Sequence, residues 1–193
     1  MKRNKKERVA VYIDGSNFYY KLKDLSLKNL VYFQYGEFAK FLCRSERCLV
    51  GKRYYIGAVK ARDEKSKKMQ EDQVRLFSHL QSDKCRFSIQ RGYLMKNDGI
   101  FHEKGVDVKI AVDILVGAYE NLYDTAIVVS SDTDLIPALE KVKSLGKNVE
   151  YIGFSHKPSI ALVSVATKSK LLDKNDILSF ETPHPKETHK EKK

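Results

Sequence analysis

No apolar run in the 193-residue sequence approaches the roughly 20 residues that a membrane-spanning helix requires. The basic opening MKRNKKER leads into a strand-like segment instead of a signal-peptide core, so a soluble, cytoplasmic protein without membrane contact is expected. Cysteine is scarce. Cys43, Cys48 and Cys85 form an odd set without a C-x-x-C pair, which offers neither a disulfide framework nor a zinc site and suits a reducing compartment. No histidine stands in an obviously catalytic setting, no internal repeat is present, and low complexity is confined to the termini.

What the chain has in excess is positive charge. A formal net charge of +11 at pH 7 and a pI near 9.4 point to a polyanionic partner, because surface Lys and Arg attract phosphate chains through long-range, salt-sensitive electrostatics. Part of the excess lies in a basic leader, residues 1–8. The charged tail, 181–193, largely balances its lysines with glutamates, so much of the positive charge belongs to the body between. A hydrophobic content of 42% suits one domain with a respectable core, expected over residues 9–180.

Periodicity alternates between strand and helix. VAVYI at 9–13 reads as a buried strand that stops at DGSN, and FYYKLKDL carries aromatic and leucine residues at helical spacing. YGEFAKFLCR at 35–44 reads as an amphipathic helix and KRYYIGAVKA at 52–61 as a strand. Residues 63–83 form the clearest helix, with Met69, Leu76, Phe77 and Leu80 on one side and Glu64/Lys68 and Glu71/Arg75 as i,i+4 pairs. Asn97-Asp98-Gly99 marks a turn between RFSIQRGYLM and IFHEKG, which predicts a hairpin or, in part, the next core strand. VDVKIAVDILVGAY at 106–119, apolar almost all round, predicts an interior helix. TAIVV, DLIPALEKVKSLG closed by Gly146, and NVEYIGF then continue as strand, helix and strand. Strands alternating with helices imply an α/β fold with a mainly parallel central sheet and helices on both faces.

In such a sheet, ligands collect outside the carboxyl ends of the strands, near a switch in strand order. Asp14 and Asp132 both end strands, Asp134 lies just beyond, and Asp107 heads a helix after the glycine of EKGVD. If these ends converge, four carboxylates share one small region, and their repulsion in a partly desolvated site calls for protonation, basic partners or a bound cation. All-oxygen donors suit Mg2+ or Mn2+ rather than zinc, and Mg2+ uses few carboxylates while keeping waters and accepting phosphate oxygens. Each aspartate also has a plainer use. Asp14-Gly15 can form an ordinary turn, Asp132 or Asp134 can cap the following helix, and Asp107 can favour its helix N-terminus through the macrodipole. Their recurrence at matching topological positions favours the metal reading.

YIDGSNFY, EKGVDVKIAVD and VVSSDTDLIPALEKVKSLGKNVEYIG, in that order, resemble the successive signatures of the NYN domain, the LabA-like branch of the PIN-like nuclease superfamily, over about residues 9–166. The resemblance implies a PIN-like Rossmannoid three-layer sandwich and a Mg2+- or Mn2+-dependent ribonuclease site acting on RNA, single-stranded or structured. Position by position it places the family's acidic residues on Asp14, Asp107, Asp132 and Asp134, and the asparagine of its DGSN motif on Asn17. Asp113 matches a recurrent family aspartate, but it stands six residues after Asp107, which rotates it by roughly 120° around an α-helix and ranks it second. Ser130 and Ser131 fit the small polar positions before the final carboxylates. Many members carry glycine where this chain has Ser131, a replacement compatible only with a loop that does not need positive φ. SIALVSVATKSKLL resembles the family's closing helix, with Thr167 and Lys168 where an aspartate often stands.

On this reading the four aspartates hold one or two cations that activate a water and stabilise the departing oxygen, and Asn17 orients a water or a phosphate oxygen. Lys104, just before the motif glycine, can reach a substrate phosphate, and Lys60 and Arg62, at the end of a predicted strand, can line the same rim. For these residues, as for Lys65, Lys67 and Lys68, a solvated surface is the plainer account. Tyr19, Tyr20 and Tyr93 can stack bases, although core packing is the better expectation at their spacing. Two rival readings stay open: an RNA-binding regulatory module that does not cleave efficiently, and a small-molecule phosphohydrolase, against which YIDGSN lacks the second carboxylate of a D-x-D nucleophile motif. A homodimer through a sheet edge or the 87–103 hairpin is also open.

Overall fold

Alternation in the first strand puts apolar side chains on both of its faces, and the molecule is layered on that strand. The computed structural model describes residues 5–59, 63–97 and 100–182, and in it β1 (Arg8–Asp14) runs through the centre of a seven-stranded sheet. With β2 (Cys48–Ala58), β3 (Ser88–Asn97), β4 (Ile100–Lys104), β5 (Thr125–Val129), β6 (Asn148–Phe154) and β7 (Lys168–Leu172), the order is β4-β3-β2-β1-β5-β6-β7. Six strands are parallel, and β4 is antiparallel to β3.

Val9, Val11 and Ile13 face one apolar core with Phe18, Leu22, Phe38 and Leu80, while Ala10 and Tyr12 face another with Ile110, Ile114, Leu139 and Leu162. Hence α1 (Gly15–Asp24), α2 (Tyr35–Cys43), α3 (Glu64–Gln81) and α7 (Lys174–Leu178) cover the first face. The second is covered by α4 (Val106–Tyr119), α5 (Ile136–Ser144) and α6 (Ile160–Val165). This is the three-layer α/β sandwich of PIN-like, Rossmannoid type that the resemblance implies. The chain steps outward from β1 to β2, β3 and β4, crosses back through α4, and resumes with β5 on the other side of β1. Strand order therefore reverses between β1 and β5, the place where open α/β sheets bind ligands.

The hairpin sets where α4 begins. Tyr93 of β3 pairs with Ala58, the last residue of β2, and β3 then runs on to Asn97. β4 returns along it until Lys104 stands opposite Tyr93, so α4 starts level with the carboxyl end of the sheet. One strand thus meets both the hairpin and the core-strand expectation. Gly105 makes the joint with φ 77°, in the left-handed region that glycine enters without steric cost. Gly15 is needed for closeness instead: a Cβ there would lie 2.6 Å from the Tyr55 carbonyl oxygen.

Several segments depart from their sequence pattern. β2 begins at Cys48 because its parallel pairing with β1 extends back to Arg8. The helix α4 is not interior all round: Val108, Val112 and Val116 form an exposed stripe while Val106, Ile110, Ile114 and Ala118 fill the core. Valine on the outward stripe conceals the amphipathic pattern. On α3 Met69 is exposed and Gln73 takes an inward place, its amide donating to Gly57 O at 2.8 Å and accepting from Val59 N at 2.9 Å. Arg75 pairs with Asp72 rather than Glu71. SIALVSVATKSKLL is not one helix; after α6 the chain becomes β7, where the edge of β6 satisfies its backbone groups. No helix among the described residues is long and apolar enough to cross a membrane.

At the amino end of the sheet, Asp124 ties β1 to the start of β5 by accepting from Arg8 N, Nε and Nη2. The Arg8 hydrogen bonds hold this carboxyl down at about 2, below the ordinary 3.8. A carboxylate with a depressed pKa stabilises the fold above its unfolded value, and the contribution disappears as pH falls through the folded one. Urea-denaturation midpoints should therefore drop between about pH 4 and about pH 2, with about 1 kcal/mol from this group after allowance for solvent screening of a partly exposed pair. Asp124→Asn should remove that component; an unchanged acid profile would exclude it.

Candidate functional site

Asp14 ends β1 and starts α1 at once. One carboxylate oxygen accepts from Asn17 N at 3.0 Å, capping the helix, and the other accepts from Ser130 Oγ at 2.9 Å. Ser130 follows β5 and is buried, and its Oγ in turn accepts from Asp132 N at 3.1 Å. Asn17 Oδ1 accepts from Ser131 N at 3.2 Å. Asp132 Oδ1 accepts from Asp134 N at 2.9 Å, which caps a 3-10 turn over Thr133–Leu135 ahead of α5. Hydrogen bonds between DGSN and SSDTD thus join the two strand ends that flank the switch in strand order. Ser131 fits because its backbone does not need positive φ: among the described non-glycine residues only Ser26, Arg44, Arg86 and Asn121 adopt it.

The first turn of α4 delivers Asp107 to the same place. One carboxylate oxygen from each of Asp107, Asp132 and Asp134 lies within 4.8 Å of the other two, with Asp107 and Asp132 half-buried and Asp134 exposed. Like charges this close repel, and a cation between them relieves the repulsion. An octahedral Mg2+ with oxygens at about 2.1 Å sets its donors about 3 to 4 Å apart, so this all-oxygen trio fits a hard divalent ion that keeps several waters. Asp14 stands beside the trio, linked to it through Ser130, with both of its oxygens accepting hydrogen bonds. The plainer roles are realised too, since Asp14 and Asp132 are both caps and Asp107 sits in a helical first turn.

Asp113 belongs to a different constellation. Tyr55 OH donates to its Oδ2 at 2.8 Å, and burial followed by the Asp113 charge pushes the Tyr55 phenol far above its ordinary value. Beside it, Arg53 Nη1 donates to Tyr12 OH at 3.1 Å; burial pushes Tyr12 up to about 12, against the opposing pull of Arg53. Asp113 therefore fastens α4 to β2, with the Tyr55 hydroxyl as its partner. Lys104 is exposed where β4 meets α4, and Lys65, Lys67 and Lys68 are exposed on α3. Lys60 and Arg62 lie outside the described residues. Tyr19, Tyr20 and Tyr93 are 45%, 64% and 75% exposed, so none of them packs in the core as their spacing suggests. The Ser130–Asp14 and Tyr55–Asp113 bonds have no signal in the sequence, because each joins residues more than fifty positions apart.

A family model described as NYN domain matches residues 8–173. No curated protein matches the chain. Among solved structures, the crystal structure of VPA0982, a protein of unknown function from Vibrio parahaemolyticus RIMD 2210633, has a TM-score of 0.64 at 24% identity, over 92% of this chain and 99% of that one. At that identity the likeness is one of fold.

The crowding of Asp107, Asp132 and Asp134 is testable as stability. Mn2+ or Mg2+ should raise the melting temperature of the protein. Asp107→Asn should raise it without any ion, by about 1 kcal/mol or a few degrees as one repelling charge is lost, and should abolish the ion-dependent shift. A variant that responds to Mn2+ as the unaltered protein does would remove Asp107 from the centre.

Proposed function

The chain belongs to the NYN domain family, and from that premise we propose that it is a Mg2+- or Mn2+-dependent ribonuclease that hydrolyses RNA phosphodiester bonds at the crevice between β1 and β5. The observation that carries the proposal is the approach of Asp107, Asp132 and Asp134 to within 4.8 Å of one another at the switch in strand order. A chain of net charge +11 that concentrates three carboxylates in one place combines attraction for a polyanion with a seat for a cation.

Asp107, Asp132 and Asp134 hold the ion. When bound, it supplies Lewis acidity toward a phosphoryl oxygen and lowers the pKa of a water. Asp14 positions the strand end through Ser130, and its carboxylate borders the seat. Asn17 spends its side-chain oxygen on Ser131 N, so what it offers a phosphate oxygen or a water is its amide N–H. Lys104, exposed three residues before Asp107, meets a substrate phosphate on this reading.

Cleavage of single-stranded and structured RNA should require Mg2+ or Mn2+ and stop in EDTA. Asp107→Asn and Asp132→Asn should each lower the rate by on the order of 100-fold or more, since even residues one layer behind a metal cost 10- to 100-fold. Unchanged rates in both variants would sink the assignment. RNA binding without cleavage under either metal would instead favour a regulatory RNA-binding module.

A further inference from the structure

The helix that follows DGSN turns Phe18 and Leu22 into the core but leaves Tyr19 and Tyr20 at 45% and 64% exposure. Their rings meet at 79° with centroids 5.5 Å apart, so each limits the rotation of the other. Tyr20 stands four residues after Ser16 and three after Asn17, one turn away on the same side of α1. Helical side chains lean toward the N-terminus, which directs the Tyr20 ring toward the turn that holds Asn17, whose side chain accepts from Ser131 N in the loop leading to Asp132.

The next residue along α1 is basic. Lys21, four residues after Asn17, donates from Nζ to Lys157 O at 2.8 Å in the segment that follows β6. Lys157 Nζ is itself paired with Asp24 at 2.8 Å, and His156 Nε2 lies 3.7 Å from the same carboxylate. Asp24 pairs directly with Lys157 and acts on Lys21 only as a nearby charge, while the hydrogen bond of Lys21 goes to a carbonyl, so an anion would give Lys21 a direct charged partner. An aromatic ring beside a lysine, bordering a cleavage site, matches how single strands are gripped: bases stack on rings and phosphates meet cations.

We propose that Tyr20, braced by Tyr19, is a stacking platform for one unpaired base of the RNA strand, with Lys21 on an adjacent phosphate, so that the site selects single-stranded over paired RNA. The inference rests on the reading of the crevice as an RNA-cleaving site. A duplex keeps its base faces in the stack and cannot use the platform, whereas an unpaired base can be laid on the ring.

Fluorescence anisotropy with a labelled unpaired oligoribonucleotide, read in EDTA so that no cleavage intervenes, tests it on the full chain. Tyr20→Ala should weaken single-stranded binding by about tenfold and leave duplex binding unchanged, while Tyr20→Phe keeps the original affinity. An abasic nucleotide moved along the strand should find one position where the unaltered protein loses that same factor and Tyr20→Ala loses nothing more. Equal affinity of Tyr20→Ala and the unaltered protein, or an equal loss on duplex, would overturn the platform. So would the absence of any RNA binding, which would give the tyrosines to a protein partner. The two readings fail separately: RNA bound as described but never cleaved with Mg2+ or Mn2+ sinks the nuclease and keeps the platform, and cleavage with unaltered Tyr20→Ala binding sinks the platform alone.

Discussion

One buried hydroxyl couples the two halves of the sheet where they diverge. Ser130 Oγ donates to the Asp14 carboxylate and accepts from Asp132 N, so the side chain that closes β1 and the backbone that leaves β5 share a single atom. A serine hydroxyl has one proton to give and two lone pairs to accept with, and here it both donates and accepts. A buried hydrogen bond to a charged acceptor contributes about 1.5 to 3 kcal/mol, a sizeable part of the margin by which domains are stable. The cap of α1, the Asn17–Ser131 contact and the course of the chain into the 3-10 turn all presuppose this joint.

Structural and chemical uses of the aspartates are not alternatives. A carboxylate has two oxygens, and Asp132 commits Oδ1 to Asp134 N while still contributing an oxygen to the trio with Asp107 and Asp134. Capping holds the carboxylate in place before any ligand arrives, which lowers the ordering cost of binding one. The labour divides by position: Asp132 caps and joins the trio, and Asp134 lends its backbone to the cap and its carboxylate to the trio.

Asp14, Asp107, Asp132 and Asp134 are legible in the sequence because the end of a strand and the start of a helix are local properties, marked by a change of period. That Asp107 meets Asp132 and Asp134 is a property of strand order, which periodicity does not carry and only the resemblance of three successive motifs implies. Asp113 shows where local reasoning stops: helical arithmetic turns it away from Asp107, but its partner Tyr55 lies on β2, fifty-eight positions earlier. Neighbouring helical positions differ by about 100°, so of the run Phe18-Tyr19-Tyr20 only one faces inward, and the pattern alone does not say which neighbours stay wet. The valines of α4 and the change from α6 to β7 are cases of context overriding composition, since an outward valine and a strand-edge lysine read the same in any setting.

The hairpin of β3 and β4 goes out beyond the end of β2 and comes back to the same level, with Tyr93 opposite Lys104 at its base. Such a path is neutral with respect to length. Residues added to one arm are cancelled by residues added to the other, and as long as the arms grow together Gly105 and Asp107 stay where they are. The fold therefore contains one element whose reach past the carboxyl edge can change without moving a single carboxylate, so its outer part can diverge among related chains while the centre beneath it keeps its geometry.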